Sequence, residues 1–149
     1  MSYRPYAAII AEASSSASGI KFDLKNDSGS AISALQPVST DVFGKAKAVD
    51  VSVESDALKV VGIAGSSIPN GSYGSIYSHG KVENITTSYD FGDYIYVSKT
   101  GGLTNILPSE GVDGFVSGDF IIRVGIIVRN RVTPSQKDLV INIGIIGQV

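Results

Sequence analysis

Cysteine is absent from the 149 residues, and histidine occurs once, at position 79. Without cysteine there is no disulfide, no thiolate metal site and no thiol nucleophile, so stability must come from packing or from association between chains. A Ser/His/Asp triad or a histidine-based metal site would rest entirely on His79. Charge is also scarce. Charged residues make up 17% of the chain against about 25% in an average soluble domain, which suggests a surface partly covered by partners or a β-protein with many turns. The formal net charge of −2 and the pI near 5.2 argue against a polyanionic partner, because phosphate binding needs a basic field. Nucleic acid is therefore not an expected ligand. No apolar run approaches the roughly 20 residues of a membrane helix, and Ala7 to Ala11 is shorter than a secretory apolar core. The chain reads as soluble, made in the cytoplasm, with no membrane association and no cofactor.

What the chain does contain is period-two alternation, the mark of half-buried strands. Ile20, Phe22 and Leu24 alternate with Lys21, Asp23 and Lys25. Val49, Val51 and Val53 alternate with Asp50, Ser52 and Glu54. Near the C-terminus Phe120, Ile122, Val124, Ile126 and Val128 share one predicted face. Leu139, Ile141, Ile143 and Ile145 share another. These two segments carry the strongest core signal and are predicted to be neighbouring central strands.

Turn-forming clusters separate the runs: Asn26 to Gly29, Pro69 to Ser72, Thr100 to Gly102 and Glu110 to Gly114. Such spacing predicts an all-β fold, a single compact antiparallel β-barrel or β-sandwich. Helix is expected only as short turns at Glu54 to Leu58 and Pro134 to Asp138. Glycine recurs inside apolar strands at Val61-Gly62-Ile63, Val124-Gly125-Ile126 and Ile143-Gly144-Ile145, which points to bulges, corners or close approach of another backbone.

The first nineteen residues differ in kind. Ala13 to Gly19 is a tract of small residues that cannot pack a core, preceded by Tyr3, Tyr6, Ile9 and Ile10. The expected organisation is a flexible N-terminal arm over 1–19 and one β-domain over 20–149, with those four side chains as partner contacts.

Residue patterns that carry catalytic chemistry are scarce. His79 lies between Ser78 and Gly80 in what reads as an exposed turn. Gly65 to Gly71 lacks the spacing and the Lys-Ser/Thr of a phosphate-binding loop. Asp90/Asp93 and Asp113/Asp119 are the carboxylate pairs available for acid/base work on a glycan or for calcium, yet each sits beside glycine in a turn pattern, where aspartate serves local hydrogen bonding. No ordered calcium-loop series is present, so no catalytic residue and no metal ligand is assigned. The three N-x-S/T matches, at Asn26, Asn70 and Asn84, carry no meaning without secretion. The seven tyrosines are more informative. Tyr73, Tyr77, Tyr94 and Tyr96 are candidate partner-binding residues, because tyrosine provides rigid amphipathic contact area; cross-strand pairing within the sheet is the alternative. Tyr94 and Tyr96 should share one strand face, opposite Ile95 and Val97.

The block from Gly92 through Tyr94, Tyr96, Gly101 and Gly102 to Thr104, then Pro108 and Arg123 to Ile126, resembles strand-turn-strand patterns of tailed-bacteriophage head-decoration and fibre-associated proteins. Pro37 to Asp41, Val60 to Ala64 and Ile68 to Gly71 extend the likeness, which spans most of Leu24 to Val149. The resemblance implies a non-enzymatic virion structural protein, assembled in the host cytoplasm. It would bind the major capsid protein or other virion proteins, as a homotrimer at capsid symmetry positions. Two alternatives stand beside it: a receptor- or glycan-binding module of a tail fibre or baseplate, and a small glycan hydrolase using Asp90 and Asp93.

Overall fold

The computed structural model describes residues 19–149. Tyr3, Tyr6, Ile9 and Ile10, and the expected arm to which they belong, lie outside the described residues. The domain is all-β, with nine strands: β1 (Gly19–Lys25), β2 (Pro37–Thr40), β3 (Ala46–Ala48), β4 (Val60–Ala64), β5 (Tyr73–Ile85), β6 (Tyr94–Val97), β7 (Leu103–Thr104), β8 (Phe120–Arg129) and β9 (Lys137–Gln148). Among the described residues one helix, α1 (Glu54–Leu58), falls between β3 and β4. The strands follow the order β3-β2-β4-β5-β9-β8-β6-β7, with β1 added on β5, and all of these pairings are antiparallel. The order is open, with β3 at one end and β7 at the other.

β5 is the hinge of this arrangement. Ile76 and Tyr77 pair with both β1 and β4, so those strands lie on opposite edges of β5. Gly80 pairs with Gly19 and with Ile141, so β9 takes over from β4 along the same edge. A strand that changes neighbours in this way turns the sheet through a corner. Two cores result. The larger contains Ile63, Ile95, Val97, Phe115, Ile122, Val124, Ile127, Leu139 and Ile141; the smaller contains Ile32, Val38, Ala46, Ala64, Ile68 and Ile76. Adjacent residues of β4, Ile63 and Ala64, point into different cores, so β4 is covered on both faces.

The C-terminal pair is as expected in place, with β8 and β9 neighbouring and central, but not in phase. Ile122 and Val124 are buried; the register shifts across Val124, between Arg123 and Gly125, and beyond it Ile127 is buried in place of Ile126 and Val128. β9 buries Leu139 and Ile141, half-buries Ile143, and then leaves the core, with Ile145 and Ile146 exposed.

Other expectations are corrected. Val49 to Glu54 is not a strand. The Asp50 carboxylate accepts hydrogen bonds from the Ser52 amide and hydroxyl (2.9 and 2.6 Å), which folds the chain into a turn that still buries Val49 and Val51. Helix forms at Glu54–Leu58 as expected, whereas Pro134 to Gln136 is turn and β9 begins at Lys137. There Asn130 caps the connection, its side-chain oxygen accepting from the Val132 and Thr133 amides. β1 takes in Gly19. Its expected dry face is wet, with Ile20 64% and Phe22 38% exposed, because among the described residues β1 is a strand with only β5 beside it.

Candidate binding surfaces

A groove of about 560 Å³ opens between the segment before β2, the segment after β5 and the β6–β7 turn, within the size range of small-ligand sites. Its floor is apolar, from Ile85, Leu103, Ile127 and Leu139, and its rim carries Ser33, Gln36, Thr86, Thr87, Ser88, Tyr89 and Thr100. The lining is uncharged among the described residues. Leu35 sits here at φ 64°, a left-handed conformation costly for a residue with a Cβ. It is held there by its own amide donating to Ala64 O (2.8 Å) and by Ala64 N donating to Gln36 O (2.9 Å). On the opposite wall the Tyr89 hydroxyl donates to Leu103 O at 3.0 Å. Desolvation raises the Tyr89 pKa, so the phenol stays protonated and keeps that bond. Hydroxyls and an amide above an apolar floor suit a neutral, hydrogen-bonding ligand and provide no acid/base pair. Of the groove residues, only Tyr89 stands out in the sequence, as part of the tyrosine-rich region.

The nominated tyrosines do not converge. Tyr73 and Tyr77 are on β5 and Tyr94 and Tyr96 on β6, with β9 and β8 between those strands. Tyr73 (69%) and Tyr94 (56%) project into solvent. Tyr77 is half-buried, packs against the larger core and lies beneath the Lys21 ammonium at 5.9 Å. Tyr94 and Tyr96 face away from the buried Ile95 and Val97, as expected.

Among the described residues the most exposed adjacent apolar pair is at the β2–β3 turn, where Val42 and Phe43 are 80% and 81% exposed. Asp41 shapes that turn, its carboxylate accepting from the Phe43 amide (2.8 Å) and the Lys45 amide (2.9 Å). The Lys45 bond is the main reason that the Asp41 pKa is lowered. Gly44, at φ 73°, completes the turn. The tip is thus organised by its backbone while its two apolar side chains remain in water.

The nominated carboxylates have structural tasks. Asp93 accepts from the Asp90 amide and from Asn105 Nδ2, and the Asn105 bond contributes most to lowering its pKa. Asp119 is buried and accepts from Lys99 Nζ at 2.7 Å and from the Val116 amide at 2.9 Å. Asp113 sits in a turn at φ 49°. His79 lies within β5, not in a turn, paired with Ile20 and exposed, its ring beside Ser78 Oγ at 3.0 Å. Among the described residues no three acidic or histidine side chains converge as a metal site. Compared with protein-family models and with curated proteins, the chain matches none.

Proposed function

We propose that this chain is a non-enzymatic structural protein of a tailed-phage virion, attached to the capsid through protein–protein contacts. The Val42-Phe43 tip is the observation that carries this reading. An aromatic and a branched aliphatic side chain held in water by an ordered turn make the kind of anchor that dominates protein interfaces when it enters a pocket. Low charge and further exposed apolar side chains at Ile106, Leu107 and Val116 support contact with protein rather than with a polyanion. The mechanism is mass action: a protein that binds only the assembled shell stabilises the shell by its binding free energy. A trimer at capsid symmetry positions is the assembly that the resemblance implies. Co-sedimentation with purified capsids tests the reading. The parent should pellet with the shells, and a Val42→Ser/Phe43→Ser variant with unchanged melting should stay in the supernatant. Failure of the parent to pellet would overturn the proposal.

A second reading, a glycan-contacting module of a tail fibre, draws on the uncharged groove and on the exposed rings of Tyr73 and Tyr94. Titration with neutral oligosaccharides, followed by amide chemical shifts, tests it. Shifts confined to Thr86 to Tyr89 and Ser33 to Gln36 would support the groove as the site, and an unchanged spectrum would remove the reading.

A further inference from the structure

β1 contributes seven residues, and among the described residues Gly19 to Lys25 hydrogen-bonds on one edge only, to β5. The other edge is taken up just beyond the strand, where Asn26 bridges to Ala46. Edge strands of this length are usually protected, because their unpaired amides and carbonyls template the addition of another strand. Here the apolar face begins at Leu24, packed against the smaller core, and runs out into solvent through Phe22 and Ile20. The other face carries Lys21, Asp23 and Lys25.

We infer that this edge is a self-association surface, on which β1 of a second copy of the chain adds antiparallel about a two-fold axis. Directly opposed residues of antiparallel strands share a face, so the axis must pass through a residue, and three central registers deserve comparison. With the axis at Phe22, Lys21 opposes Asp23 of the second copy and Asp23 opposes its Lys21, while Ile20 opposes Leu24 and Phe22 opposes Phe22. Gly19 then meets Lys25, and all seven residues are used without disturbing Asn26. With the axis at Lys21, like ammonium groups meet; with the axis at Asp23, carboxylate meets carboxylate and Lys21 meets Lys25. Only the Phe22 register is both charge-complementary and apolar-matched. Asp23 can serve it, since one carboxylate oxygen accepts from Ser75 Oγ and the other is directed to no protein donor among the described residues. Strand addition of this type draws affinity from main-chain bonds and specificity from alternate side chains, and an isologous contact closes at two chains.

This inference does not depend on attachment to a virion. A dimer built in this way differs from the trimer implied by the resemblance, and mass separates them. Light scattering of the full chain across the micromolar range should show a species of twice 15.5 kDa. Lys21→Asp should weaken the dimer by about tenfold or more, because carboxylates then face each other twice. Adding Asp23→Lys to that variant should restore dimerisation, with both variants keeping the parent's circular-dichroism spectrum. A parent that remains monomeric, a trimeric mass, or a charge-swapped double variant that stays as weak as Lys21→Asp would overturn it.

Discussion

Gly125 on β8 approaches the carbonyl of Val140 on β9 so closely that a Cβ added at Gly125 would overlap that oxygen. Gly62 stands in the same relation to the carbonyl of Tyr77. Two of the three glycines placed inside apolar strands thus share one physical cause, close approach of a neighbouring backbone. Gly144, the third, has only Arg123 Nη2 near, at 3.9 Å, and does not share it.

Alanine at Gly125 and at Gly144 separates a required glycine from a permissive one. Gly125→Ala should destabilise by about 1–3 kcal/mol, the usual cost of forcing extra atoms into a packed site. Gly144→Ala should change stability by less than about 0.5 kcal/mol. Urea unfolding of the two variants measures the difference.

The shift in β8 exchanges the roles of two adjacent isoleucines. Ile127, 1% exposed, should cost about 2–5 kcal/mol when truncated to alanine, through lost burial and the cavity left behind. Ile126→Ala should cost distinctly less. Equal losses, or the reverse order, would restore the uninterrupted alternation that the sequence suggests. Val124→Ala should be damaging because Val124 is fully buried, whereas Ile143, only half-buried, should lose less than a core isoleucine.

Asp119 ties stability to pH. Burial pushes its pKa up, but the Lys99 hydrogen bond and the Val116 amide together outweigh burial, and the folded-state value lies below the ordinary 3.8. A depressed carboxylate stabilises the fold above its unfolded pKa and loses that contribution as pH falls through the folded value. The parent should therefore lose stability as the solution is acidified below about pH 4. Asp119→Asn should cost about 1–3 kcal/mol at neutral pH and flatten the acid limb of a melting-temperature profile. An unchanged acid limb would remove Asp119 from that role.

The connection between β8 and β9 should tolerate loss of a cation. Arg131 is exposed, so Arg131→Ala should cost under about 0.5 kcal/mol. Arg129, whose guanidinium lies 4.0 Å from the Phe91 ring centre and donates to Pro134 O, should cost more. Thermal melting of the two variants side by side checks the ranking.

Strand identity was readable wherever alternation met a turn cluster, as in β1, β6, β8 and β9. What alternation could not convey was where a strand lies in the sheet. Ile20 and Phe22 look like core residues, yet β1 occupies an edge, and nothing local in Ile20 to Leu24 distinguishes an edge strand from a central one. Phase was lost at Gly125, because a bulge shifts every later side chain to the other face. Val49 to Glu54 misled for a different reason: a Ser two residues after Asp50 offers the backbone a turn that competes with the ladder. The groove was illegible because its walls come from three segments far apart in sequence. The Val42-Phe43 tip had a local signal, an Asp-Val-Phe-Gly turn between two short strands, whose importance emerges only once its side chains are seen to lie in solvent.

Electron cryomicroscopy of intact particles is the most direct test of attachment to a virion. Density for the β-domain is expected at regular positions on the shell, with the β2–β3 turn seated against a capsid protein. Particles lacking that density, with the protein left in the soluble fraction of the lysate, would contradict it.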